Sequence, residues 1–234
     1  MRNYLIFDGH NSKDYGVYIS GLNTFGGAER DVDVISVAGR DGDLTLDNGR
    51  YKNINITYPA FIHDHFDMNV SAFRAVLLSA RGYKRLEDSY HPQEYRRARY
   101  TGAFNPDVVD WLVAGEFDIT FDCDPRRFLK EGEKPMSITS GDSIKNQTMF
   151  DAKPLIRVYG TGTIVVNGVS VVVTTADGYT DIDCELQEAY KGTTNCNGNI
   201  TLTNGEFPIL SSGSNSITYT GFSQVDITPN WWTI

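Results

Sequence analysis

The sequence predicts a mainly β chain of two domains with one helix. Three observations carry this. Short stretches with a period of two, separated by Gly, Asn, Asp and Pro, run through most of the chain. A single stretch keeps a helical period. The charge density also drops part-way along. Residues 1–134 hold 17 Lys/Arg and 21 Asp/Glu, a net of −4, whereas residues 135–234 hold 4 and 9, a net of −5. The second part is rich in Ser, Thr, Asn and Gly instead. The change falls in KEGEKPMSITSGDSIKNQT, which has no periodicity, so residues 135–150 are expected to link a domain over 1–134 to one over 151–234.

In the first part, YLIFDG and YGVYIS are short and β-prone, and DVDVISV alternates until Ile35 shifts the phase, which suggests a bulge. The stretch VAGRDGDLTLDNGRYKN sets Asp41, Asp43, Asp47 and Asn48 among three glycines. An EF-hand loop beginning at Asp41 would need an oxygen ligand, a Gly and a Glu where Thr45, Leu46 and Lys52 stand. It is therefore a hairpin with solvated aspartates: Gly39 and Gly42 bracket one turn and Asn48-Gly49 supply another. NINITY puts Ile54, Ile56 and Tyr58 on one face. In NVSAFRAVLLSARGYKRL, Phe73, Val76, Leu77 and Ala80 mark a helix, capped by Asn69 or Ser71 and ended by Gly82. EFDITFDCD alternates Phe117, Ile119, Phe121 and Cys123 with an acidic wet face, and Pro125 stops it. The second part reads as all β. Asn167-Gly168 joins two apolar runs as a hairpin turn, Asn197-Gly198 and Asn204-Gly205 flank ITLT, and NSITYTG and SQVDITP add strands.

Composition excludes several classes. No apolar run approaches the ~20 residues of a membrane helix, so no membrane partner is expected. MRNYLIFDGH lacks the apolar stretch of a secretory leader. Cys123, Cys184 and Cys196 are odd in number and share no CxxC spacing, which argues for reduced thiols without zinc. A net charge of −9 disfavours sequence-specific nucleic-acid binding.

Candidate chemistry is sparse. His63, His65 and Asp67, beside Asp64, would share a strand face as metal ligands, but a loop before the helix is the simpler reading, and no metal is assigned. Arg81, Lys84, Arg85, Arg96, Arg97 and Arg99 interleave with tyrosines. Nucleic acid would suit that pattern, but Glu87, Asp88 and Glu94 offset half the charge, so a patch meeting an acidic one on a neighbouring subunit, or simply a solvated face, is the better reading. Trp111, Trp231 and Trp232 suit sugar stacking, yet the terminal WWTI fits equally a buried last strand or an interface anchor, and the interface role ranks ahead of a sugar site. No nucleophile motif, P-loop or dinucleotide fingerprint is present, so no catalytic residue and no cofactor is assigned.

The order of these motifs carries a resemblance. VAGRDGDL, then a helix ending in ARGYKRLEDSYHPQEYRRARY, then FDITFDCDPRRFL resembles the N-terminal domain of siphophage distal tail proteins. Their G-R-(D/N)-G, L-x-D and F-x-C-x-P segments map to Gly39–Gly42, Leu86–Asp88 and Phe121–Pro125. PLIRVYGTGTIVVNG, IDCELQEAY, NGEFPIL and VDITPNWW follow in the same order. The resemblance implies an α+β N-terminal domain with a β-sandwich, one helix and a β-hairpin, and a galectin-like C-terminal β-sandwich. It implies a virion protein of the tail tip: a hexameric ring hub, without catalysis, assembled in the host cytoplasm. Its partners would be the tail tube protein, the tape-measure protein, the tail-associated protein and, in many phages, receptor-binding proteins, with DNA passing through the lumen. An acidic lumen would repel DNA phosphates and let it slide.

On this reading the hairpin tip, Arg40, Asp41, Gly42, Asp43 and Leu44, is the expected ring contact. The rival reading is a carbohydrate-binding adhesion module with Tyr179 and Tyr190 as sugar-contacting aromatics. A galectin-like fold alone does not imply sugar binding.

Overall fold

The structure, a computed structural model, describes residues 2–21, 24–62, 65–110, 114–174 and 176–234. His63, Asp64 and Trp111 lie outside the described residues. The chain is mostly strand with one α-helix. It divides into two units, one comprising Met1–Arg127 with Ile234 and the other Phe128–Thr233.

In the first unit the strands are β1 (Leu5–Phe7), β2 (His10–Asn11), β3 (Val17–Ile19), β4 (Arg30–Ile35), β5 (Leu44–Tyr51) and β6 (Ile54–Ile62), then helix α1 (Phe66–Ser79). After it come β7 (Lys84–Asp88), β8 (Glu94–Tyr100), β9 (Asp107–Asp110) and β10 (Ala114–Cys123). The main sheet runs β2-β1-β7-β8-β10-β6-β3, and β9 pairs with β10. Its spine is the antiparallel pair β6–β10, in register from Ile54↔Cys123 to Ile62↔Gly115. Period-two side chains place Ile56, Tyr58, Ile62, Phe117, Ile119, Phe121 and Cys123 inward. The edge strand β3 reaches back to Asn3, two residues before β1, where Ile19 N–H donates to the Asn3 carbonyl at 3.0 Å. Where a β-sandwich was expected, this unit's core is a single sheet with its β3 edge bridged back to Asn3 beside β1.

Helix α1 lies on this core through Phe66, Phe73 and Leu77, each at most 2% exposed and each stabilising by roughly 1.5–3 kcal/mol. It starts earlier than Asn69 or Ser71 would cap it: His65, with φ 49°, is the N-cap residue and makes no side-chain capping bond. The drive for the extra turn is the burial of Phe66. Its ring lies where a Cβ on Gly115 would come within 2.1 Å. The helix ends at Ser79 with Ala80 extended, and Gly82 takes its positive φ two residues beyond.

The second unit contains β12 (Met136–Ser137), β13 (Ser143–Asn146), β14 (Leu155–Tyr159), β15 (Gly162–Val166), β16 (Val169–Val173) and β17 (Tyr179–Asp183). After these come β18 (Glu188–Lys191), β19 (Thr194–Asn195), β20 (Ile200–Leu202), β21 (Gly213–Thr220), β22 (Gln224–Thr228) and β23 (Trp232–Thr233). Strand β11 (Arg127–Leu129), which begins on the last residue of the first unit, pairs with β23. Two antiparallel sheets, β12-β22-β14-β17-β18-β19 and β13-β21-β15-β16-β20, share one core of Ile156, Val158, Ile182, Val225 and Ile227 against Ile164, Val166, Val171, Val173 and Ile217. Asn167 (φ 50°) and Gly168 (φ 86°) form the two-residue turn between β15 and β16.

Residues 135–150, expected as a linker, instead carry two edge strands. Met136 and Ser137 pair with Ile227 and Asp226, and Ser143–Asn146 pair with Ser216–Gly213. Their exposed positions are Met136, Ser137, Ser143 and Lys145, mostly the polar residues that an edge strand facing water carries. Inward, Ile144 and Asn146 are buried, and Asn146 Nδ2 donates to the Phe150 and Leu210 carbonyls.

Candidate functional site

Strands β4 and β5 form a two-stranded sheet of their own. Their register runs Ile35↔Leu44, Val34↔Thr45, Asp33↔Leu46 and Val32↔Asp47, and then slips before Arg30↔Tyr51. The irregularity lies between Arg30 and Val32, not at Ile35, whose pairing is regular. Opposite it, Gly49 has φ 70° inside β5, and its N–H donates to Asp47 Oδ1 at 2.8 Å. Asn48-Gly49 is therefore a bulge, not a second turn, because a bulge uses the same left-handed residue that a turn would.

Arg40, Asp41, Gly42 and Asp43 lie in the tip between the strands, all exposed, with Gly39 and Gly42 at φ 79° and 75°. Leu44 opens β5. Around this tip the structure adds residues that the sequence did not mark. Val34, Ile35, Leu44 and Leu46 are 62%, 50%, 41% and 58% exposed, and no residue from 31 to 50 is buried. Cross-strand pairing puts Ile35, Leu44 and Leu46 on one face of the ribbon with Asp33. The shank is laced by ion pairs Arg30–Asp47 (2.9 Å) and Arg50–Asp31 (2.6 Å). Exposed pairs of this kind are worth only ~0–1 kcal/mol each. An isolated hairpin is marginal in water, and this one has no core of its own. Its apolar face is exposed.

The other sequence candidates fall elsewhere. His65 and Asp67 sit at the start of α1, and among the described residues no group of three or more His, Cys, Asp or Glu is disposed to hold a metal. The basic, aromatic segment is split by strand alternation: Arg96 is buried, while Arg97 and Arg99 face out. Arg99 pairs with Asp122 at 2.6 Å and lies over Tyr83, and Arg85 lies over Tyr95 at 3.8 Å, so these cations already have partners within the unit. Trp231 is buried, and Trp232 stacks on Phe150 at 4.4 Å and donates through Nε1 to the Asp151 carbonyl. Neither is a bare sugar platform.

Tyr179 borders a depression of about 320 Å³ with Asp177, Asn195 and Asn199. Tyr190 borders another of about 280 Å³ with Glu188 and Thr193. The two tyrosines thus form no joint platform. The Arg157 guanidinium lies 4.4 Å from the Tyr179 ring centre, and Arg157 is itself held by both oxygens of buried Asp181 at 2.7 and 2.8 Å. That double hydrogen bond raises the pKa of Arg157. Cys123, Cys184 and Cys196 are free and buried. Burial pushes the Cys123 thiol up to about 12 and raises that of Cys184 as well.

No family model and no curated protein matches the chain. Solved structures do. The chain is similar to SPP1 Dit, described as a paradigm of the hub adsorption apparatus in phages infecting Gram-positive bacteria, with a TM-score of 0.78 at 15% identity over 100% of both chains. It is also similar to a chain of the phage p2 baseplate in its activated conformation with Sr, with a TM-score of 0.55 at 13% identity over 97% of both. Over its whole length, then, the chain has the fold of a phage Dit protein.

Proposed function

We propose that the chain is a structural hub of a long, non-contractile phage tail. On this reading it forms a hexameric ring that joins the tail tube to the adsorption apparatus, and DNA passes through the lumen. The observation that carries this is the conjunction of a full-length Dit fold with a hairpin whose apolar face is left uncovered. The hairpin works as an arm: Ile35, Leu44 and Leu46 lie against the neighbouring copy, and the tip Arg40–Leu44 reaches its surface. The role is mechanical and needs no reacting group. Domain roles follow the sequence reading, with the N-terminal part making the ring and the C-terminal sandwich facing outward. Tape-measure, tail-associated and receptor-binding proteins are the proposed partners, and the virion tail tip, after assembly in the host cytoplasm, is the proposed location.

Images of the purified chain by electron microscopy test this. Six-fold rings with an open centre are the expected result. Particles without a ring at high protein concentration contradict the reading. A strongly positive lumen in such a ring would contradict the acidic channel.

The glycan-binding alternative rests on the Tyr179 depression with its Asp and Asn rim. Arg157 over the Tyr179 ring weighs against a stacked sugar. Binding of the full chain to a glycan array, lost in Tyr179→Ala, would favour it.

A further inference from the structure

The chain carries Asn-Gly pairs at Asn48, Asn167, Asn197 and Asn204. In such a pair the side-chain amide is open to attack by the next main-chain nitrogen, because glycine sets no Cβ beside it. Folding decides which pair can react. Closure of the five-membered ring needs a side chain free to swing, and room to turn about the Asn Cα–C bond.

At three of these positions the side chain is held. Asn48 Nδ2 donates to Asp33 Oδ2 at 3.4 Å, and the proton that must leave Gly49 N is held by the Asp47 carboxylate at 2.8 Å. Asn167 Nδ2 donates to Asn215 Oδ1 (2.6 Å) and to the Ile209 carbonyl (3.3 Å), while Asn167 Oδ1 accepts from Ser216 N–H (3.0 Å). Asn197 Oδ1 accepts from Ala189 N–H at 2.6 Å. Each bond that must open first slows closure by roughly two- to tenfold.

Asn204 differs. Residues 203–206, between β20 and β21, are all exposed, and no other described residue hydrogen-bonds to the Asn204 side chain. The segment is anchored on both sides, since Leu202 pairs with Val171 and Pro208 is buried. Between the anchors one short turn holds the main chain, and its bond from Glu206 N–H to the Thr203 carbonyl is 3.4 Å long. Asn204 has φ 60° and ψ 12°, and Gly205 has φ 73°. At that ψ the Gly205 nitrogen points away from Asn204 Cγ, so closure must turn the Cα–C bond of Asn204 and open this turn. Asn167 shares the left-handed conformation, at φ 50°, but would also have to break its three side-chain bonds.

We propose that Asn204 is a site of spontaneous deamidation. Base removes the Gly205 N–H proton, and the nitrogen adds to Asn204 Cγ. The Cγ–Nδ2 bond breaks and Nδ2 leaves as ammonia, which forms a succinimide. Water opens that ring at either carbonyl, giving aspartate or isoaspartate. The balance is amide plus water to carboxylate plus ammonium, with no change of oxidation state. Each conversion takes residues 135–234 from a net of −5 to −6. Isoaspartate also adds one methylene to the main chain of the turn. The chain thus gains, with age, one negative charge at a fixed place on its second unit. The inference does not depend on the ring.

The test is to store the full chain in mildly alkaline buffer, digest samples at acid pH and map the peptides by mass spectrometry. An isoaspartyl methyltransferase marks the isoaspartate product. Asn204 should convert first, roughly tenfold or more ahead of Asn48, Asn167 and Asn197. In urea the four rates should converge, because the ranking belongs to the fold. Conversion of any of the other three as fast as Asn204 in the folded chain overturns the proposal. So does an unchanged Asn204 over a time in which the urea-unfolded chain converts. An equal lead of Asn204 in urea places the cause in the local sequence and overturns the structural argument. Asn204→Gln should remove the early acidic species seen by isoelectric focusing, and persistence of that species also overturns it.

Discussion

Gly115 shows how much a single position can decide. It stands at the register shift between β9 and β10, and the Phe66 ring occupies the space a Cβ would need. Gly115→Ala should cost about 1–3 kcal/mol by overpacking, read as a drop in unfolding midpoint with no change in the far-ultraviolet spectrum. Asp181 is a second such position. Its side chain is 5% exposed and holds Arg157 with two bonds. Asp181→Ala should destabilise by about 1–3 kcal/mol, toward the lower end because Arg157 remains 41% exposed and can rehydrate. The buried thiols set the alkaline limit. Burial raises Cys123 to about 12, against about 8.5 for a free thiol. The unfolded chain therefore loses this proton first as pH rises. The stabilisation is complete below pH ~8.5 and declines toward pH 12, by up to about 1.4 kcal/mol per unit. Denaturant titrations from pH 8 to 11 should show this slope, and Cys123→Ala should make it shallower by one thiol. An unchanged slope would mean that other groups set the limit.

At the level of elements, legibility followed the physics of each pattern. The strand EFDITFDCD could be read directly, because one face is core and the other water, and that contrast is what alternation records. Two Asn-Gly pairs divided. Asn167-Gly168 is the hairpin turn, whereas Asn48-Gly49 is a bulge inside β5, and both need a residue at positive φ. The stretch 135–150 read as a linker because edge strands are polar outward and short. Phe66 was missed as the helix's first anchor, since only Gly115, far along the chain, makes room for it. The hairpin tip was legible from its glycines. The apolar face behind it was not, because Leu44 and Leu46 look like any strand alternation until no core is found beneath them. This element carries its own prediction. The pair Ile35→Asp and Leu46→Asp should leave the monomer's stability within ~0.5 kcal/mol, since both side chains are at least half exposed. The same pair should abolish self-association in sedimentation velocity. Loss of monomer stability instead would place the ribbon in an intramolecular contact.

For the whole molecule, the sequence order of loose motifs pointed to the same architecture that the fold comparison finds, at an identity of only 15%. Core positions tolerate exchange of one apolar residue for another, so a fold outlives its sequence. A lone chain does not display its assembly, and on the proposed reading a neighbouring copy covers β4–β5. The direct test of the central claim is the mass of the full chain in solution, by light scattering over a concentration series. The hub account predicts a species near six times 26.1 kDa that grows with concentration. A 26.1 kDa monomer at every concentration, with the hairpin still exposed, would contradict it.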